Sequence, residues 1–136
     1  MSLSKNQEEQ IVAFLKEKLS PYLLVLFGSA AKGTMRRDSD VDIAFLSDHK
    51  KDEYELFLLA QELASLLNRE VDLVDLEKAS TVFQAQIVGH GRVLHCTDEH
   101  RRMLFNMLTL KKYAKLNEER KPILDKIKES GSIYAE

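Results

Sequence analysis

The chain has 136 residues, 44% of them hydrophobic and 31% charged, with a formal net charge of −2 and a pI near 6.1. That length suits one domain able to bury its own core, and the charge balance excludes the global basic field of a nucleic-acid-gripping protein. The single cysteine, Cys96, excludes an internal disulfide and fits a reducing compartment; no apolar run approaches the roughly 20 residues of a membrane helix, and the opening MSLSKNQEEQ is too polar for a signal peptide.

The spacing predicts a helix over residues 4–19, opened by a Ser4–Gln7 capping box and carrying Ile11, Phe14, Leu15 and Leu19 on one face. Ser20-Pro21 ends it. Residues 22–27 form a continuous apolar run of strand length bounded by Pro21 and Gly28, the pattern of a buried strand. A turn or helix start over 28–33 and a polar loop over 34–39 lead to a second strand over 40–46. Residues 52–67 carry Leu56, Leu59, Ala60, Leu63 and Leu67 on one stripe of an amphipathic helix, with Asn68 as its C-cap. A third strand over 70–76 and a helix from the Ser80 cap to Val88, stopped by Gly89 and Gly91, follow. A short strand over 92–95 precedes a helix over 97–113. A last helical stretch over 118–128 places Pro122 near its first turn. Strands alternating with helices give an α/β domain with a small sheet. The expected organisation is one domain over 1–136, with a basic helical extension from about residue 111.

The second strand opens on acids, Asp40-Val41-Asp42, where a buried strand should be apolar. Side chains alternate along a strand, so Asp40 and Asp42 share a face, about 6.6 Å apart at roughly 3.3 Å per residue. Two carboxylates so placed can lean over shared cations, which two-metal sites hold roughly 3.5–4 Å apart. The residues alone leave open a pair of solvated aspartates at a strand end. Gly28 permits a sharp turn and close backbone approach, and Ser29 begins a short helix whose free N–H groups favour an anion. Together the two strand ends describe a nucleoside triphosphate held through Mg²⁺. The third strand reads Glu70-Val71-Asp72-Leu73-Val74-Asp75, and Asp72 completes a carboxylate triad if this strand neighbours the second. Asp75 points the other way and suits a turn cap.

Gly28-Ser29, ten intervening residues, then Asp40-Val41-Asp42 resembles the signature of the minimal nucleotidyltransferases of the DNA polymerase β-like superfamily. "LFGSAAKGTMRRDSDVDIAFL", "REVDLVDLEKAS" and "FQAQIVGHGRVLH" all resemble this group, and the likeness spans most of residues 5–110. The resemblance implies a small mixed β-sheet flanked by helices, with Asp40, Asp42 and Asp72 as the metal-binding and catalytic acids, two Mg²⁺ ions, and Gly28 and Ser29 on the triphosphate of ATP. Members often carry Arg soon after the Gly-Ser step. Here Ala30, Ala31 and Lys32 stand there, so Lys32, Arg36 or Arg37 is expected to supply the phosphate charge.

Many minimal members resemble the antitoxin half of HEPN–MNT toxin–antitoxin pairs. That resemblance implies transfer of AMP from ATP to a hydroxyl, a tyrosine's, of a HEPN RNase toxin as protein partner; the single cysteine, the polar N-terminus, the lack of a long apolar run and the acidic pI give the expectation of a cytoplasmic protein with neither a membrane nor nucleic acid as direct partner. No further domain for a small substrate or primer is expected, which would leave a partner protein to supply the acceptor. The rival functions are a non-catalytic antitoxin acting by occlusion, a small-molecule nucleotidyltransferase and a template-free polymerase. His95, Cys96 and His100 resemble a zinc set only loosely. Met103, Leu104, Met107 and Leu108 are expected in the core, with Phe105 and Leu110 broadening that helix's apolar surface. The lysine-rich tail is a solvated face or a docking surface for an acidic partner.

Overall fold

The structure, a computed structural model, describes residues 3–33 and 39–129. In chain order the elements are α1 (Lys5–Leu19), β1 (Pro21–Phe27), α2 (Ser29–Lys32), β2 (Val41–Ser47), α3 (Glu53–Leu67), β3 (Val71–Asp75), a 3-10 turn (Leu76–Lys78), α4 (Thr81–His90), β4 (Arg92–Cys96) and α5 (Glu99–Glu129). The four strands form one mixed sheet in the order β3-β2-β1-β4. β1 runs antiparallel to both β2 and β4, whereas β2 and β3 are parallel, joined by the α3 crossover. This is the small mixed sheet flanked by helices that the sequence implied.

Local chemistry sets the helix ends. Ser4 Oγ accepts from the Gln7 amide at 3.1 Å while the Ser4 amide donates to Gln7 Oε1 at 3.0 Å, a complete capping box. Asp52 accepts from the Glu55 amide at 2.7 Å to start α3, and Asn68 closes it in the left-handed region at φ 54°. Ser80 caps α4 by accepting from the Phe83 amide at 3.1 Å.

The sheet is buried on both faces, which is why β1 and β2 read as continuous apolar runs. On one face Leu24, Leu26, Ile43 and Phe45 pack with Ile11 and Leu15 of α1 and Leu59 and Leu63 of α3. On the other, Leu23, Val25, Ala44 and Leu46 pack with Leu76 and Ile87, flanked by half-buried Phe27, Phe83 and Phe105. Arg101 ties α5 to the sheet end, with Nη1 and Nη2 donating to Asp48 at 2.8 and 2.9 Å and Cζ 3.8 Å from the Tyr22 ring centroid.

Three expectations are corrected. The helices expected over 97–113 and 118–128 are one 31-residue helix with Pro122 inside it. Ala114-Lys115-Leu116-Asn117 contains no stop signal, and the bond that Pro122 removes lies on an exposed stretch where water can replace it. Met103, Leu104, Met107 and Leu108 are not core: they are 53%, 50%, 65% and 47% exposed. The helix instead turns Arg102, Phe105, Asn106 and Thr109 inward, a second stripe at the same spacing that mixes polar with apolar side chains. Finally, α4 runs through Gly89 to His90; Gly89 costs the helix some propensity without stopping it.

Candidate active site

Sheet register brings the acids together. Asp42 is the second residue of β2, and its Cα partners are Phe27 on β1 and Asp72 on β3. Asp72 is therefore the neighbouring-strand carboxylate, as the sequence suggested. Strand alternation puts Asp42 on the same face as Ala44 and Leu46, the side covered by α4 and α5. Asp40 lies two residues before Asp42, just outside the strand, and is exposed. The Val41 amide donates to the Glu70 carbonyl at 2.8 Å, which locks the starts of β2 and β3 side by side. Arg69 Nη1 donates to the Ser39 carbonyl at 3.5 Å, immediately before Asp40. Asp75 takes no part in this cluster; it is buried and accepts from the Glu77 amide at 3.1 Å, capping the 3-10 turn.

Gly28 closes the other side. It sits at φ 64°, a conformation that side chains other than glycine rarely adopt, and a Cβ built there would lie 2.5 Å from Asp42 Oδ2. The backbone of the Gly-Ser step thus passes against the central carboxylate. Ser29 follows as the first residue of α2, and Lys32 ends that short helix exposed to solvent. A cavity of about 390 Å³ opens beside this step, lined by Phe27, Gly28, Lys32, Phe83, Gln86 and His90 among others. Phe83 closes edge-on against Phe27, with ring centroids 5.4 Å apart and planes at 88°. Sequence reasoning named neither aromatic for the site nor Arg69. Phe83 is found from the spacing Phe83–Ile87, which puts it on the sheet-facing stripe of α4. Arg36 and Arg37, the other candidate phosphate ligands, lie outside the described residues.

Burial pushes the Asp42 carboxyl up to about 6, and the negative charges of Asp72 and then Asp40 push the same way. No hydrogen bond or ion pair from the described residues holds Asp42. Among the described residues, no group of three or more His, Cys, Asp and Glu side chains is gathered to hold a metal ion by itself. The loose His95–Cys96–His100 set is therefore not gathered, and Asp40, Asp42 and Asp72 do not close a cage by themselves either; they stand as neighbouring oxygen donors, near enough for Asp72 and Asp40 to push the Asp42 carboxyl up. Such a donor set fits Mg²⁺, which takes one or two carboxylates and completes its shell with waters and substrate phosphates. An unpaired central carboxylate, repelled by two others, is the electrostatic counterpart of that fit. No helix among the described residues is long and apolar enough to cross a membrane.

The polymerase β nucleotidyltransferase family model matches residues 9–100. The chain is 40% identical over 121 residues to the protein adenylyltransferase MntA of Shewanella oneidensis strain MR-1, covering 88% of this chain and 86% of that one. It is similar to a chain in a crystal structure of a toxin–antitoxin with AMP-PNP, at 40% identity and a TM-score of 0.80, covering 88% of this chain and 97% of that chain. It is also similar to a chain in the structure of a tri-AMPylated Shewanella oneidensis HEPN toxin in complex with MNT antitoxin. There the identity is 36% and the TM-score 0.77, over 92% of this chain and 98% of that chain.

Proposed function

The chain belongs to the polymerase β nucleotidyltransferase family, and we propose that it is a Mg²⁺-dependent protein adenylyltransferase: an antitoxin that moves AMP from ATP to a tyrosine hydroxyl of a HEPN-family toxin. One observation carries this reading. Asp42 stands between the Gly28 backbone on one flank and Asp72 on the other, so phosphate-cradling and proton-accepting groups lie on opposite sides of one carboxylate.

ATP lies with its β- and γ-phosphates against the Gly28 and Ser29 amides and the Lys32 ammonium. Asp40, Asp42 and Asp72 would hold Mg²⁺, which neutralises the phosphate charge and lowers the pKa of the attacking hydroxyl. The partner's hydroxyl oxygen attacks the α-phosphorus from the Asp72 side. Its proton passes to a carboxylate of the cluster. The bond between the α-phosphorus and the bridging oxygen breaks, and pyrophosphate leaves toward Gly28 and Ser29. The product is an AMP–protein phosphodiester.

The 111–129 part of α5 supports a protein partner. Thr109 is the last buried residue of that helix, and Ile123, Leu124 and Ile127 beyond it are 62%, 58% and 39% exposed. At about 1.5 Å per residue, the helix projects roughly 30 Å past its last buried side chain. The reading places the chain in the cytoplasm, as one catalytic domain with a partner-facing helical extension. The test is incubation with Mg²⁺, α-labelled ATP and an extract of the host. A discrete labelled protein that disappears with the Asp40→Asn, Asp42→Asn double variant supports it; label confined to small molecules moves the assignment to a small-substrate enzyme, and no label at all to occlusion.

A further inference from the structure

We propose that the leaving pyrophosphate is received in the cavity between β1 and α4, where His90 and Gln86 of α4 join Lys32 as its ligands. This inference rests on the adenylyltransferase reading and adds the α4 side chains that hold the leaving group.

Sheet register joins this cavity to the reacting centre. Phe27, which lines it, is the Cα partner of Asp42, and strand alternation sets both on the face covered by α4. Gly28, which also lines it, passes against Asp42 Oδ2. Asp72 stands on the far side of Asp42, on β3. The attacking and leaving oxygens of phosphoryl transfer lie roughly in line, so a hydroxyl attacking from Asp72 expels pyrophosphate toward β1 and this cavity.

The end of α4 is fixed at the same place. Antiparallel β1 and β4 pair Leu26 with Arg92, so the chain just before Arg92 runs beside the chain just after Leu26. Gly91 makes the junction tight. Its amide donates to the Ile87 carbonyl at 2.8 Å, and a Cβ built there would collide with Val25 Cγ1 and that carbonyl. Phe83, Gln86, Ile87 and His90 share one face of α4, three and four residues apart. Ile87 is buried and Phe83 packs on Phe27, which gives the cavity an apolar floor; Gln86 and His90 are exposed at its rim.

Charge selects the occupant. No carboxylate among the described residues lines this cavity of about 390 Å³, and its ionisable side chains are Lys32 and His90. That is the reverse of the acidic flank across Asp42. As the bond to the α-phosphorus breaks, its electron pair stays on the bridging oxygen and the negative charge gathers on pyrophosphate. Helix α2 offers one cation, Lys32. The His90 imidazole N–H and the Gln86 amide N–H supply the further donors that a multiply charged anion needs.

The test titrates the full chain, in Mg²⁺, with pyrophosphate and with AMP as separate probes, for the wild type and for His90→Ala, His90→Arg and Gln86→Ala variants. Both positions are exposed, so Tm should hold in all three. His90→Ala is expected to weaken pyrophosphate binding by about tenfold, the contribution of one charge-assisted hydrogen bond, with AMP affinity unchanged. The Ki of pyrophosphate as a product inhibitor of AMP transfer should rise by the same factor. His90→Arg should restore both, and Gln86→Ala should act in the same direction as His90→Ala. Wild-type pyrophosphate affinity in His90→Ala would overturn the inference while leaving the adenylyltransferase reading standing. Lost AMP affinity with pyrophosphate affinity intact would overturn it in favour of the nucleoside as occupant. A wild-type chain that binds neither probe and modifies no protein would overturn both.

Discussion

Gly28 and Asp42 are placed so that a single added carbon on the first would lie 2.5 Å from a carboxylate oxygen of the second. The glycine therefore does two jobs, adopting φ 64° and leaving the central carboxylate room. Gly28→Ala should cost about 1–2 kcal/mol in stability from the strained backbone and displace Asp42, reducing AMP transfer by two orders of magnitude or more. Gly33 provides the control: it has a similar φ of 69° but nothing within 4 Å of a built Cβ. Gly33→Ala should lose similar stability and keep most of its activity, as read by thermal melts and labelled-AMP transfer on both variants.

The acids make a second prediction. Asp40→Asn should abolish transfer while leaving Tm within a few degrees, because Asp40 is exposed and outside the strand. Unimpaired transfer by this variant would remove Asp40 from the site.

Asp42 predicts a pH effect on stability. Its carboxyl titrates near 6 in the folded chain against an ordinary value of 3.8. Between those values the folded state binds more protons than the unfolded one, so this group's contribution to stability falls as pH rises from about 4 to about 6 and stays low above. Asp42→Asn removes the buried charge. In chelator at about pH 7.5 it should raise Tm by roughly 3–5 °C, about 1 kcal/mol after discounting for solvent screening. At about pH 4 the difference should largely vanish. An equal or lower Tm for the variant at neutral pH would show that the charge is compensated.

Much of this was readable in the residues, and the limits have physical causes. Periodicity and caps placed α1, α3 and the four strands because each is a local property: Ser4 with Gln7, Asp52 with Asn68, apolar runs between Pro21 and Gly28. The spacing of Gly28-Ser29 and Asp40-Val41-Asp42 pointed to the two strand ends. Asp72 was named on the condition that the third strand neighbours the second, and the parallel register of β2 and β3, a tertiary feature, meets that condition. Helix α5 misled because two stripes share one periodicity; the more apolar one, Met103 to Leu108, faces water, and the mixed one with Thr109 packs. Composition alone cannot tell a core stripe from a surface kept for another protein.

The exposed end of α5 predicts a separable partner contact. Removing residues after Leu110 deletes no side chain of either core cluster, so Tm should fall by only a few degrees. Affinity for the HEPN-family partner, measured by calorimetry, should weaken at least tenfold. Unchanged affinity would assign the basic tail to solvation alone.

The most direct measurement is the mass of the intact partner after incubation with this chain, ATP and Mg²⁺. The expected result is increments of whole AMP units on a tyrosine, release of one pyrophosphate per unit, and no increment with the Asp40→Asn, Asp42→Asn double variant. A partner neutralised without any gain in mass would contradict it, leaving binding rather than chemistry as the function.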